Sequence, residues 1–143
     1  MAIKQLSVFV PNQAGELVKI TDALEKANID IRAMSIADTQ DFGILRLIVS
    51  DTVKAKDTLT ENECLATTNE VVTVAISDEP GALSKVLHIL SENSITLEYM
   101  YAFLASDSDS AFVVLRVEDN EKAEDILSSK GIRIITDEDI ANL

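Results

Sequence analysis

Apolar positions along the 143 residues follow two alternating periods. Leu6-Ser7-Val8-Phe9-Val10 has the two-residue spacing of a strand with one buried face. After a polar loop, Leu17, Ile20, Ala23, Leu24 and Ala27 fall at helical spacing, with Glu16, Lys19, Asp22, Glu25 and Lys26 on the other side and Asn28 as a stop. Ile29 to Ala37 and Phe42 to Val49 read as two strands of a hairpin turning at Asp38-Thr39-Gln40-Asp41. Asp51 can cap a second helix whose inward positions include Val53, Ala55 and Leu59, and a fourth strand starts near Cys64.

The second half repeats this order. A shift of 66 residues carries Val8 to Val74, Gly15 to Gly81, Leu17 to Leu83, Leu24 to Leu90 and Met34 to Met100. Beyond the hairpin the shift is 68, matching Leu47 with Leu115, Asp51 with Asp119 and Leu59 with Leu127, so the second hairpin holds two extra residues within Ser106-Asp107-Ser108-Asp109-Ser110. Arg46 and Arg116 look alike by eye, but the shift pairs them with Val114 and Ile48, so they are not a functional pair. Each half reads β-α-β-β-α-β, an α+β ferredoxin-like unit in which an antiparallel four-stranded sheet carries two helices on one face. Joining two such sheets edge to edge gives one eight-stranded sheet with fewer exposed edges. The expected repeats are 1–67 and 68–143, divided near Thr67 to Asn69 without a Gly/Ser linker. A lobe of about 70 residues is marginal alone, so the lobes are expected to pack together or to dimerise.

Composition narrows the function. A hydrophobic fraction of 47% supports a core, built mainly from Ile, Leu, Val and Ala because aromatics are 4%. The net charge of −13 disfavours nucleic acid and anionic membranes as partners. Residues 1–67 carry 7 basic and 10 acidic side chains, residues 68–143 carry 5 and 15, so the second half is the acidic one. That face reads as a solvated surface, or as a dock for a basic partner. A single cysteine, Cys64, excludes an internal disulfide; with no apolar run of membrane-spanning length and no apolar leader, a cytoplasmic protein is expected.

Catalytic chemistry finds no candidates. Neither a nucleophile elbow nor a phosphate-binding loop is present, Cys64 lacks a dyad partner, and His88 lies off the Leu83, Val86, Leu87, Leu90 stripe as a solvated residue. One histidine and one distant cysteine do not make a metal site; Asp107 and Asp109 read as turn residues without the other ligands of a calcium loop. No cofactor is called for, and the chain is not expected to be an enzyme. The recurring feature is the polar corner, Asn12-Gln13-Ala14-Gly15-Glu16-Leu17 and then Asp78-Glu79-Pro80-Gly81-Ala82-Leu83. A glycine lets the chain turn sharply there, and the helix that follows aims unpaired N–H groups outward, which suits a carboxylate. A plain strand-to-helix turn is the other reading. Tyr99, Tyr101 and Phe103 share a strand face, as sheet packing or as a pocket for an apolar or aromatic amino acid.

Taken with the repetition, these corners, the amphipathic helices and the runs Asn28-Ile29-Asp30-Ile31 and Ser94-Ile95-Thr96-Leu97 resemble the ACT domains, small amino-acid-sensing modules. The run from Ser35 to Val49, with Tyr101-Ala102-Phe103, is similar to stand-alone bacterial and archaeal proteins made of two ACT repeats. The resemblance implies regulation rather than catalysis, with a free amino acid held at the seam of paired repeats, a homodimer, and action on a separate metabolic enzyme. It places Asn12, Ala14, Gly15, Glu16 and Leu17 opposite Tyr99, Met100 and Tyr101. Asp78, Pro80, Gly81, Ala82 and Leu83 would face Met34, Ser35 and Ile36. Backbone N–H groups near Gly15 and Gly81 would meet the ligand carboxylate, and Asn12, Asp78 or strand carbonyls its ammonium. Ala14 and Asn12 replace Pro80 and Asp78 in the first corner, so the two sites are expected to differ in affinity. A ligand-free interaction module that regulates a metabolic enzyme is the alternative.

Overall fold

The computed structural model describes residues 2–38, 41–103 and 110–142, in two compact units, Lys4–Asn69 and Glu70–Leu143 together with Met1–Ile3. Thr39, Gln40 and the loop 104–109, with the turn expected at the first and Asp107 and Asp109 in the second, lie outside the described residues.

In the first unit the chain runs through β1 (Ile3–Pro11), α1 (Glu16–Lys26), β2 (Ile31–Asp38), β3 (Phe42–Val49) and α2 (Thr52–Glu61), and ends in the start of β4 (Ala66–Ser77). β3 lies between β1 and β2 and is antiparallel to both. The segment leading into β4 lies along β1, with the Phe9 N–H donating to the Leu65 carbonyl at 3.1 Å. Alternation sends Leu6, Val8 and Val10 of β1 and Leu45, Leu47 and Val49 of β3 to one face, where Ile20 and Leu24 of α1 and Ala55 and Leu59 of α2 cover them. Val53 was expected among the inward positions of α2, but it is 65% exposed. At about 100° per residue it sits roughly 200° around the axis from Ala55, on the solvent side.

The second unit repeats the first, with α3 (Ala82–Glu92), β5 (Leu97–Ala102), β6 (Ser110–Val117) and α4 (Asn120–Ser129). The register repeats too. Val8 faces Leu45 as Val74 faces Val113, and Met34 faces Leu47 as Met100 faces Leu115. The irregularity between Ile31 and Ala33 recurs between Leu97 and Tyr99. Asp51 and Asp119 each cap their helix, accepting from the Lys54 and Lys122 N–H groups at 3.1 Å. Asn28 and Ser94 end α1 and α3 at φ 58° and 57°, and Ile29 and Ile95 donate back to Leu24 and Leu90. Arg46 lies beside Ser7 and Ser35, whereas Arg116 lies beside Tyr99 and pairs with Glu98 at 3.1 Å, so the two arginines are indeed not equivalent.

Seven strands are present among the described residues rather than the expected eight. The stretch Ala66-Thr67-Thr68-Asn69-Glu70 contains no breaker, so the last strand of the first repeat continues into the first strand of the second as β4. The strand that closes the second repeat is reduced to β7 (Arg133–Ile134), paired with β4. Thr136 then starts α5 (Asp137–Ala141) with a reciprocal capping box to Asp139, an element without counterpart in the first repeat. Residues pointing away from the helices are buried as well. Gln5 is fully buried and its amide donates to the Asn69 Oδ1 at 3.1 Å, while Thr73, Tyr101 and Phe103 are buried in the second unit outside its core cluster. No helix among the described residues is long and apolar enough to cross a membrane.

Candidate ligand-binding site

The two corners have one backbone conformation. Gly15 has φ 89° and ψ −10°, Gly81 has φ 91° and ψ −13°, and each immediately precedes its helix. This left-handed region is costly for residues with a Cβ, so the turn itself requires glycine. Space does not: a Cβ on either glycine would meet nothing within 4 Å. The Glu16 N–H donates to the Gln13 carbonyl at 3.4 Å and the Ala82 N–H to the Glu79 carbonyl at 3.2 Å, closing the turns. Neither helix has a side-chain cap, because a glycine occupies the cap position. The positive helix end at both corners is therefore left without a side-chain acceptor from its cap residue. Ala14 in place of Pro80 leaves the backbone angles almost unchanged, so proline is not what sets this turn.

Asn12, Ala14, Gly15, Asp78, Pro80 and Gly81 are exposed. Glu16, Leu17, Ala82 and Leu83 are half-buried, and the side chains of Leu17 and Leu83 pack onto the cores of their own units, leaving the backbone as their offering to a ligand. In β2, Met34 packs on the first core, Ser35 is half-buried, and Ile36 is exposed with its end 3.3 Å from the position a Cβ on Gly43 would take. In β5, Met100 packs on the second core, whereas Tyr99 and Tyr101 face the other way and stack with ring centroids 6.5 Å apart. Phe103 meets Phe112 edge-on at 5.7 Å, which fits the sheet-packing reading of that face. Within the first unit β3 separates β1 from β2, so the strand that leads into the Gly15 corner and the strand that carries Met34–Ile36 stand two strand spacings apart, about 10 Å, and Met34–Ile36 lies level with Leu6–Val8 rather than with the end of β1 at Pro11.

Beside the Gly15 corner lies a groove of about 470 Å³. Phe9, Pro11, Ile20, Phe42 and Leu65 form its apolar wall, and Glu16, Lys19 and Glu63 bring charge to it. The Phe9 and Phe42 rings sit 5.4 Å apart at 59°. Nothing local in the sequence marks this group, because its residues come from four separated stretches. The available signal was Phe9, an apolar residue out of phase with Leu6, Val8 and Val10 where the second repeat has Ala75. Cys64 also lines the groove; it is half-buried against the core, with Sγ 3.6 Å from the Asn62 carbonyl. His88 is exposed, as expected, and among the described residues no cluster of His, Cys, Asp or Glu can hold a metal ion.

Comparison with known proteins places the architecture. A Bacteroides thetaiotaomicron protein of known structure is 38% identical, superposes with a TM-score of 0.92 and aligns over 100% of this chain and 98% of its own. The ligand-free regulatory subunit of aspartate kinase from Thermus thermophilus shares the fold at 16% identity and a TM-score of 0.65, over 88% of this chain and 90% of its own. Its Thermus flavus counterpart does so at 17% identity and 0.60, over the same 88% and 90%. No curated protein matches the sequence. The model of the ACT domain pair matches residues 1–143, so the chain belongs to the ACT domain pair family.

Proposed function

We propose that this chain is a regulatory sensor that holds a free amino acid at the glycine corners of its ACT repeats and passes the signal to a separate protein. The observation that carries the proposal is the duplicated corner, a left-handed glycine directly before a helix that lacks a side-chain cap, open in both repeats. The N–H groups of the first helical turn take the ligand carboxylate. Asn12 in one corner and Asp78 in the other take the ammonium, and the second strand of another repeat, at Met34–Ile36 or Tyr99–Tyr101, completes each site. In this reading the protein works as a homodimer, and the partner is a metabolic enzyme. Family membership and the fold shared with a regulatory subunit support a regulatory role. To regulate anything, the ligand must favour one arrangement of the repeats over another.

The test is a thermal-shift screen of the twenty amino acids at millimolar concentration. A ligand present at 100 times its Kd adds about 2.7 kcal/mol to stability. A flat screen would overturn the sensor and leave the ligand-free interaction module as the reading.

A further inference from the structure

The two corners share a backbone but not their surroundings, and the internal repeat makes the difference measurable. Around Gly15 the apolar wall comprises Phe9, Pro11, Phe42 and Leu65; the corresponding positions around Gly81 hold Ala75, Ser77, Ser110 and Arg133. Folding does not demand the large residues, since the second repeat forms the same corner without them. Nor are they core. Phe9 and Phe42 are each 39% exposed and Leu65 is 64% exposed, a cost in water that a ligand side chain would relieve. The polar groups differ in the same sense. Lys19 has its counterpart in Lys85, but Glu16 and Glu63 correspond to Ala82 and Gly131.

Resting on the reading of the corners as amino-acid sites, we propose that the groove beside Gly15 is a side-chain pocket selecting an amino acid with an aromatic or branched apolar side chain, and that the Gly81 corner lacks it. The charges complement a zwitterion, with Lys19 adding to the helix N–H groups for the carboxylate and Glu16 and Glu63 adding to Asn12 for the ammonium. The volume falls within the range of small-molecule sites, and an apolar wall with a few converging polar groups is their usual composition. The tilted Phe9–Phe42 pair offers faces and edges to a third ring.

Calorimetric titration of the full chain with L-phenylalanine, L-leucine, glycine and L-aspartate tests this. Phenylalanine or leucine is expected to bind at least about tenfold more tightly than glycine or aspartate, from burial of the side chain. Phe42→Ser and Leu65→Arg, which install the residues of the second repeat, should each weaken that ligand about tenfold or more. Glycine binding should stay unchanged; the melting temperature without ligand should stay unchanged in Leu65→Arg and fall modestly in Phe42→Ser, which gives up the ring contact with Phe9. Preference for aspartate, or tight apolar binding that both variants leave intact, would overturn the pocket while leaving the sensor standing. If no amino acid binds the unaltered chain, sensor and pocket fall together. If the variants alter only self-association, the groove is an interface and the pocket is again overturned.

Discussion

Replacing Gly81 with alanine separates what the corner needs for folding from what it offers a ligand. The glycine sits at φ 91°, where an L-residue pays about 1–2 kcal/mol. No steric term adds to this, because the new Cβ would meet nothing within 4 Å. The more restricted unfolded chain of the alanine variant returns less than about 1 kcal/mol. The net loss should therefore be about 1 kcal/mol, a fall in melting temperature of roughly 3 °C for a protein of this size. Gly81→Asn should lose less, because asparagine tolerates the left-handed region better than alanine. Circular-dichroism melts of both variants, and of the matching pair at Gly15, provide the measurement. A loss above about 3 kcal/mol, or equal losses for alanine and asparagine, would mean that something fills the space at the corner, and the open-corner argument would fail.

Further predictions concern the scaffold. Asp51→Ala and Asp119→Ala each remove a cap that accepts a backbone N–H at 3.1 Å and should cost about 1 kcal/mol in chemical denaturation, with equal losses expected from the repeat; a loss at one cap alone would contradict their equivalence. Thr73 is 1% exposed and its Oγ1 has no hydrogen-bond partner among the described residues, so Thr73→Val should leave stability unchanged or raise it by about 1 kcal/mol; a clear loss would reveal a partner for the hydroxyl. Asp139 accepts from the Thr136 N–H at 2.8 Å and the Thr136 Oγ1 at 2.9 Å and pairs with Arg133 at 2.9 Å, which holds its carboxyl below the ordinary carboxylate range. A lowered folded-state pKa means that the stabilisation of α5 is complete above the ordinary range and is lost as pH falls through the depressed value. The protection of the Asp137–Ala141 amides, taken relative to the intrinsic exchange rate at each pH, should therefore fall on acidification, and Asp139→Asn should remove most of that pH dependence.

What the sequence displayed was local chemistry. Gly15 and Gly81, the aspartate caps and the stop at Asn28 are each decided within one or two turns of chain, where propensity and capping set the conformation, and the offset of 66 and then 68 residues shows the pattern twice. Two strands are expected where the single β4 runs because the polar residues Thr67, Thr68 and Asn69 suggest an interruption, although nothing among them breaks a strand. The helix α5 is too short for a periodic signal; only its capping box, Thr136 to Asp139, marked it. Alternation in β5 already implied that Met100 and the two tyrosines face opposite ways, which restricts any pocket to one set or the other. The Phe9–Phe42–Leu65 groove was hidden because proximity between residues 23 to 56 positions apart is a product of the fold rather than of any one segment.

The central claim is that an amino acid is held at the glycine corners, and backbone amide shifts report on that directly. Titrating the isotope-labelled full chain with the amino acid that most raises its melting temperature should move the amides of Gly15, Glu16 and Leu17, or of Gly81, Ala82 and Leu83, saturably and more than amides elsewhere in the same unit. Saturable shifts confined to residues away from both corners, with those six amides unmoved, would contradict the account.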